Sequence, residues 1–200
     1  MHLRTPRTSL AATVAALALT LTACGGGGES ADGTSRPGKG KSESAKAGAT
    51  FRLGESSPIQ ESTAQKYKGS TYTLTPTKVE TGTKADMAAS GLKKDKDDEP
   101  QVPVYVWTTL KHVSGKPMES GDMDDDLIVR TDKGKRTRAL IVLLGEAKWP
   151  DCPAPQDKTL SPGQSQKICK AFLIPAGQKA SAVELFQGFY KKPLEWPVNG

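Results

Sequence analysis

Side chains that could do chemistry are few in this 200-residue chain. The densest group is Asp122, Asp124, Asp125 and Asp126, just ahead of the apolar run Leu127-Ile128-Val129. Alternate carboxylates suit Ca²⁺, which takes about six to eight oxygen ligands. The spacing opens like the calcium loop of an EF-hand. Leu127 then stands where the loop needs glycine, and Lys133 where it needs a bidentate Glu. Asp122, Asp124 and Asp126 therefore remain metal candidates with no loop built to hold them, and a solvated loop is the expectation. His112 is the one histidine away from the N-terminus, and no G-x-S-x-G accompanies it. It falls at a strand end before Val113-Ser114-Gly115, where a turn or surface role is expected. Ser90 and Lys93 match S-x-x-K, yet in a polar stretch with no K-T-G partner. No catalytic residue and no cofactor are assigned.

The three cysteines divide into two kinds. Residues 1–10 carry Arg4 and Arg7 and no acid, and residues 11–23 are uncharged, largely apolar and end in small residues. This is the layout of a secretory signal peptide, and the apolar stretch is too short to span a bilayer. Its end, Leu21-Thr22-Ala23-Cys24, resembles the bacterial lipobox. That resemblance implies cleavage after residue 23 and a diacylglyceryl group on the Cys24 thiol. One acyl chain, at ~0.8 kcal/mol per methylene, binds a membrane marginally, whereas two hold it stably. The membrane itself is then the first partner, and the chain belongs on the outer face of the cytoplasmic membrane. Cys152 and Cys169 are left as an even pair in an exported chain, which predicts a disulfide. Seventeen positions of separation and the lack of Cys-x-x-Cys argue against a redox or metal pair.

Removing residues 1–23 takes two of the 28 basic residues and none of the 22 acidic ones, leaving a mild +4. Neither that charge nor an exported address suits nucleic acid. Residues 25–50 hold eight Gly and four Ser and no large apolar side chain. Residues 51–65 stay polar, with Phe51, Leu53 and Ile59 isolated, so the predicted tether runs over 24–65. Some 40 flexible residues have a span of about 35 Å.

From Lys66 onward the texture changes to short alternating or apolar runs between turn residues. Strands are expected at 72–79 with a bulge or edge at Pro76, and at 102–110. In the second, Val102, Val104, Val106 and Leu110 share one face, with Tyr105 and Trp107 on the other. Five more are expected at 127–129, 138–144, 168–174, 182–186 and 194–198. Residues 85–92 form the one helical turn, and the mixed-charge run 93–99 a mobile surface loop. About seven short strands favour an all-β sandwich over residues 66–200, with a barrel as the alternative.

Certain of these segments carry a resemblance. Gly69-x-x-Tyr72-x-Leu74, Val104-Tyr105-Val106, and Lys111-His112-Val113-Ser114-Gly115-Lys116-Pro117 are similar to stretches of exported immunoglobulin-like domains of high-GC Gram-positive bacteria. So are Pro162-Gly163-Gln164-Ser165 before Cys169, and Phe172-Leu173-Ile174-Pro175 with Gly177. The group includes lipoproteins and small secreted antigens of mycobacteria. His112 departs from it, since such domains often carry Asn there. The resemblance implies an immunoglobulin-like sandwich and an exported location, and it carries no activity.

Three kinds of function compete. A non-catalytic interaction module, reaching an envelope protein or cell-wall partner through loops 81–101, 115–126 and 145–161, leads. A small-ligand or divalent-metal lipoprotein using the Asp122–Asp126 loop comes second. An enzyme working through carboxylates alone comes third, with no residue pair to recommend it.

Overall fold

The computed structural model describes residues 48–92, 99–141 and 147–198. Its first sheet runs in the order β1 (Gln60–Glu61), β2 (Thr71–Thr81), β3 (Gln101–Ser114) and β8 (Ser165–Pro175). The second runs β10 (Leu194–Pro197), β9 (Ala180–Leu185), β5 (Leu127–Thr131) and β6 (Arg136–Arg138). A small ladder pairs β4 (Met118–Glu119) with β7 (Thr159–Leu160). Every ladder is antiparallel. Two separate sheets make a sandwich, and the barrel alternative falls.

Period-two alternation builds the core. Leu74, Val104, Val106, Leu110, Phe172 and Ile174 project from the first sheet. Leu127, Val129, Val183, Leu185, Leu194 and Trp196 meet them from the second. The same alternation turns Tyr105, Trp107 and Cys169 to the outer face of the first sheet, where a second apolar cluster forms. The register slips between Pro76 and Lys78, so the bulge expected at Pro76 is present. Turns fall where glycine supplies positive φ, at Gly134 after β5 and at Gly163 before β8. Seven strands have three or more residues among those described, matching the number expected.

Three expectations change. The sandwich begins about 18 residues earlier than residue 66. Thr50 bridges Glu195, the Phe51 ring stacks on Trp196 at 5.3 Å, and Gln60–Glu61 pair with β2. A strap whose apolar side chains are spaced singly has no periodic signal, yet each side chain finds its own slot on the sandwich. The strand placed at 138–144 lies instead at Arg136–Arg138. Ala139 then bridges Phe172 and the Leu140 amide donates to Ala171, so the chain crosses to the first sheet; residues 142–144 lie outside those described. His112 is fully buried within β3 rather than at the surface. Its Nε2 donates to the Ser114 carbonyl at 2.9 Å. Leu110 and His112 share the inward parity of β3, so a surface role is ruled out, and the ring holds the strand end from inside.

Candidate functional site

The second apolar cluster is assembled around Cys152 and Cys169, which form a disulfide with Cα atoms 5.2 Å apart. Cys169 sits opposite Trp107 in the β3–β8 ladder, so its sulfur faces outward. Cys152 reaches it from a proline-rich loop with no regular structure. Trp149 of that loop stands edge-on to Tyr105 at 5.8 Å. A short helix, α1 (Lys84–Ala89), places Met87 in the same cluster. Thr83 and Asp86 close a reciprocal cap on α1, and the bonds from Thr83 hold the Asp86 carboxyl below its ordinary range. The Lys148 amide donates to the Ser90 carbonyl at 2.9 Å, tying the loop to the end of the helix. Ser90 itself is buried and donates to Met87, so it is committed to ending the helix; Lys93 lies outside the described residues.

The aspartate cluster is not a solvated loop. Gly121–Asp124 form a single helical turn, α2, that buries Met123 and the whole Asp124 side chain. Lys170 has the same parity in β8 as Ile168 and Phe172, so its stem lies along the inner face at the edge of the sheet. Its Nζ meets Asp124 Oδ1 at 2.8 Å and Asp125 at 3.6 Å. Burial pushes the Asp124 carboxyl up to about 6, although Lys170 opposes the rise. Asp122 and Glu119 share Lys66, at 3.0 and 2.9 Å. Bonding first to Glu119 and then to Asp122 raises the Lys66 ammonium above its ordinary value. Asp126 lies 3.9 Å from Arg138. Asp122, Asp124 and Asp126 thus face three different cations, and no group of three metal-ligating side chains converges among the described residues. The metal reading of this loop loses its geometry.

What the arrangement does build is an open groove of about 1140 Å³. One wall is the disulfide loop, with Pro150, Pro153 and Pro155. The other carries Lys66, Asp122 and Asp125, and the crossing segment from Arg138 to Ile141 closes one side. The Cys152–Cys169 bridge and Ala171 lie between them. Two of the loops expected to supply contacts, 115–126 and 145–161, therefore meet at one place. Ile141 is 80% exposed at its rim.

A second charged cluster went unread in the sequence. Glu184 lies mid-strand in β9 with 1% exposure. It accepts from Arg130 Nε and Arg136 Nε, each at 2.7 Å, and Arg130 also reaches Glu195. Burial would raise the Glu184 carboxyl, but the bonds from Arg136 and Arg130 prevail and hold it low. The available signal was a lone charge inside the apolar run Ala182-Val183-Glu184-Leu185-Phe186. Cys24 lies outside the described residues.

No family model matches this chain, and no curated protein does. Among solved structures, a secreted protein from Mycobacterium tuberculosis, MPT63, is similar with a TM-score of 0.51. The two sequences are 14% identical, and the match covers 77% of this chain and all of the other. At that identity the likeness is one of fold, an immunoglobulin-like β-sandwich.

Proposed function

We propose that this chain is an extracytoplasmic lipoprotein, held at the outer face of the cytoplasmic membrane by a diacylglyceryl group on Cys24. Its sandwich serves as a non-catalytic interaction module for an envelope protein or cell-wall partner. The observation that carries the reading is the groove between the disulfide loop and α2. Fold-independent loops converge there on a rigid sheet, the usual construction of a recognition surface. Its rims hold apolar side chains and paired charges together, the mixture found at non-obligate interfaces. The Cys152–Cys169 bridge agrees with an oxidising compartment. The similar protein of known structure is itself secreted.

The test is crosslinking of the protein in its own cells, followed by mass spectrometry. A discrete partner whose capture falls at least tenfold in Ile141→Glu is the expected result. Equal capture by both forms, or none above background, would overturn the groove as the contact surface. Anchoring is read separately by fractionation of Cys24→Ala. Release to the medium, or retention of an uncleaved precursor, supports it; a cleaved, membrane-bound variant removes it.

A further inference from the structure

Between β9 and β10 the chain turns through Gln187-Gly188-Phe189-Tyr190-Lys191-Lys192. Two of the largest apolar side chains in the domain stand at the tip of this turn, Phe189 at 93% and Tyr190 at 103% exposure. A soluble surface rarely leaves adjacent aromatics so open. The turn is nonetheless built. Gly188 takes φ 91°, which few other residues adopt, and the Lys191 amide donates to its carbonyl. Phe189 stands edge-on to Phe186 at 5.6 Å, and the Arg138 guanidinium lies over Phe186. Gln187 bonds Gln60 across the edge of the sandwich. Exposed Lys191 and Lys192 follow directly.

The same end receives the chain from its N-terminal side. Residues 49–51 run parallel to β10, with the Glu195 amide donating to Ala49 and the Phe51 amide to Glu195. Traced back, the backbone reaches Gly48, where a methyl group would lie 3.0 Å from Lys192 Cβ. Whatever precedes residue 48 therefore leaves the domain beside this turn. The anchor proposed on Cys24 joins the domain at this end of the sandwich.

We propose that Phe189, Tyr190, Lys191 and Lys192 form a membrane-docking turn that seats the domain on an anionic phospholipid surface. Aromatic rings settle at the headgroup level, and lysines beside them gain from negative lipid charge. Glu61 and Asp126 lie behind the turn, lining a small pocket beneath it, and Asp126 already faces Arg138. The placement of the turn rests on the anchor of the proposed function, whereas its binding chemistry does not.

Among the described residues, every strand and both apolar clusters lie within 48–198, so a chain of residues 24–200 with Cys24→Ser retains them. The experiment is co-sedimentation of this unacylated chain with phosphatidylcholine vesicles, with and without about one third phosphatidylglycerol. Salt-sensitive partition into the anionic vesicles is expected. Phe189→Ser with Tyr190→Ser, and separately Lys191→Gln with Lys192→Gln, should each weaken it by roughly tenfold. Melting temperatures should move little, since all four residues are exposed and only Phe189, edge-on to Phe186, gives up a packing contact. Failure of the parent chain to bind, or equal binding by the variants, overturns the docking turn. So does a result in which the aromatic pair changes only self-association, read by analytical ultracentrifugation. Cys24 is absent as an anchor throughout, so failure here leaves lipidation standing, to be decided by the Cys24→Ala fractionation.

Discussion

Asp124 and Glu184 are both carboxylates with almost no exposure, yet their surroundings drive them in opposite directions. Glu184 has two guanidinium partners and is held low, so its stabilisation is present above the ordinary carboxylate range and fades as pH falls. Asp124 has one shared ammonium, and its Oδ2 has no hydrogen-bond partner among the described residues. Its folded value of about 6 exceeds the ordinary 3.8, so the folded state holds this proton more tightly. Its contribution is then greatest below about pH 4 and is lost as pH rises through about 6. Asp124→Asn should lack this dependence. Urea unfolding at several pH values between 4 and 7 should show the parent losing its advantage over the variant as pH rises, by up to about 3 kcal/mol. A constant difference would mean Asp124 is not protonated in that window. Glu184→Gln leaves Arg130 and Arg136 without their common partner and should cost about 2 kcal/mol, because Arg136 is half exposed. Since the aspartates already face Lys66, Lys170 and Arg138, millimolar Ca²⁺ should leave the melting temperature unchanged; a rise of several degrees would restore the metal reading. None of these pairings was legible beforehand. Lys170 and Asp124 are 46 positions apart, and only the register of β8 and the placing of α2 bring them together.

At the scale of elements, alternating or continuous apolar runs marked β2, β3, β8, β9 and β10, because each turns a row of apolar side chains to the core and the second cluster covers part of the outer face of β3 and β8. β6 gave no such signal. Its residues Arg136, Thr137 and Arg138 place their charges on the outer face, while the more apolar stretch after them continues across to Phe172. β1 is two polar residues held by the ladder and by the Gln60 side-chain bonds, and no composition rule finds it. The disulfide was legible because export leaves an even cysteine pair with few alternatives. Its role in the site was not, since that depends on Cys169 facing outward opposite Trp107. Closing a loop of 17 residues contributes about 3 kcal/mol, by an argument that depends on the unfolded chain. Replacing both cysteines with serine should lower unfolding free energy by about that amount. The loss should be felt first in the loop, which is otherwise held at its start by Trp149 and the Lys148 amide and at its end by Gln156 and Lys158, bonded to Gln166 and Ser120. Limited proteolysis of the double variant should cut between residues 147 and 158 well before the sheets unfold. Cutting at the same rate as in the parent would show that these contacts hold the groove wall without the bridge.

Across the whole molecule, the strap over residues 48–59 decides where the domain begins. Phe51 lies on Trp196, whose indole donates to the Glu55 carbonyl at 3.0 Å, so the strap covers the end of the second sheet. A few residues on, the Gly54 amide donates to Pro76 and Ser57 exchanges bonds with the Leu74 backbone, which joins the strap to the first sheet. Trp196 and Leu74 are both fully buried, and the strap is part of what keeps water from them. Composition hid this, because Phe51, Leu53 and Ile59 have no period to read. A chain beginning at residue 66 would expose the Trp196 ring and leave Leu74 with an unpaired backbone amide and carbonyl, each costing about 1–3 kcal/mol if it stays dry. Domains of this size hold roughly 5–15 kcal/mol in all. The chain from residue 66 should therefore show red-shifted tryptophan fluorescence and a broad transition, while one from residue 48 unfolds as cooperatively as the parent. Identical melting of the two would make the strap a passenger and return the boundary to Lys66. The distinction matters for anchoring as well. With the domain starting at 48, 23 residues separate it from Cys24, the proposed anchor, against the 41 that a start at Lys66 would leave.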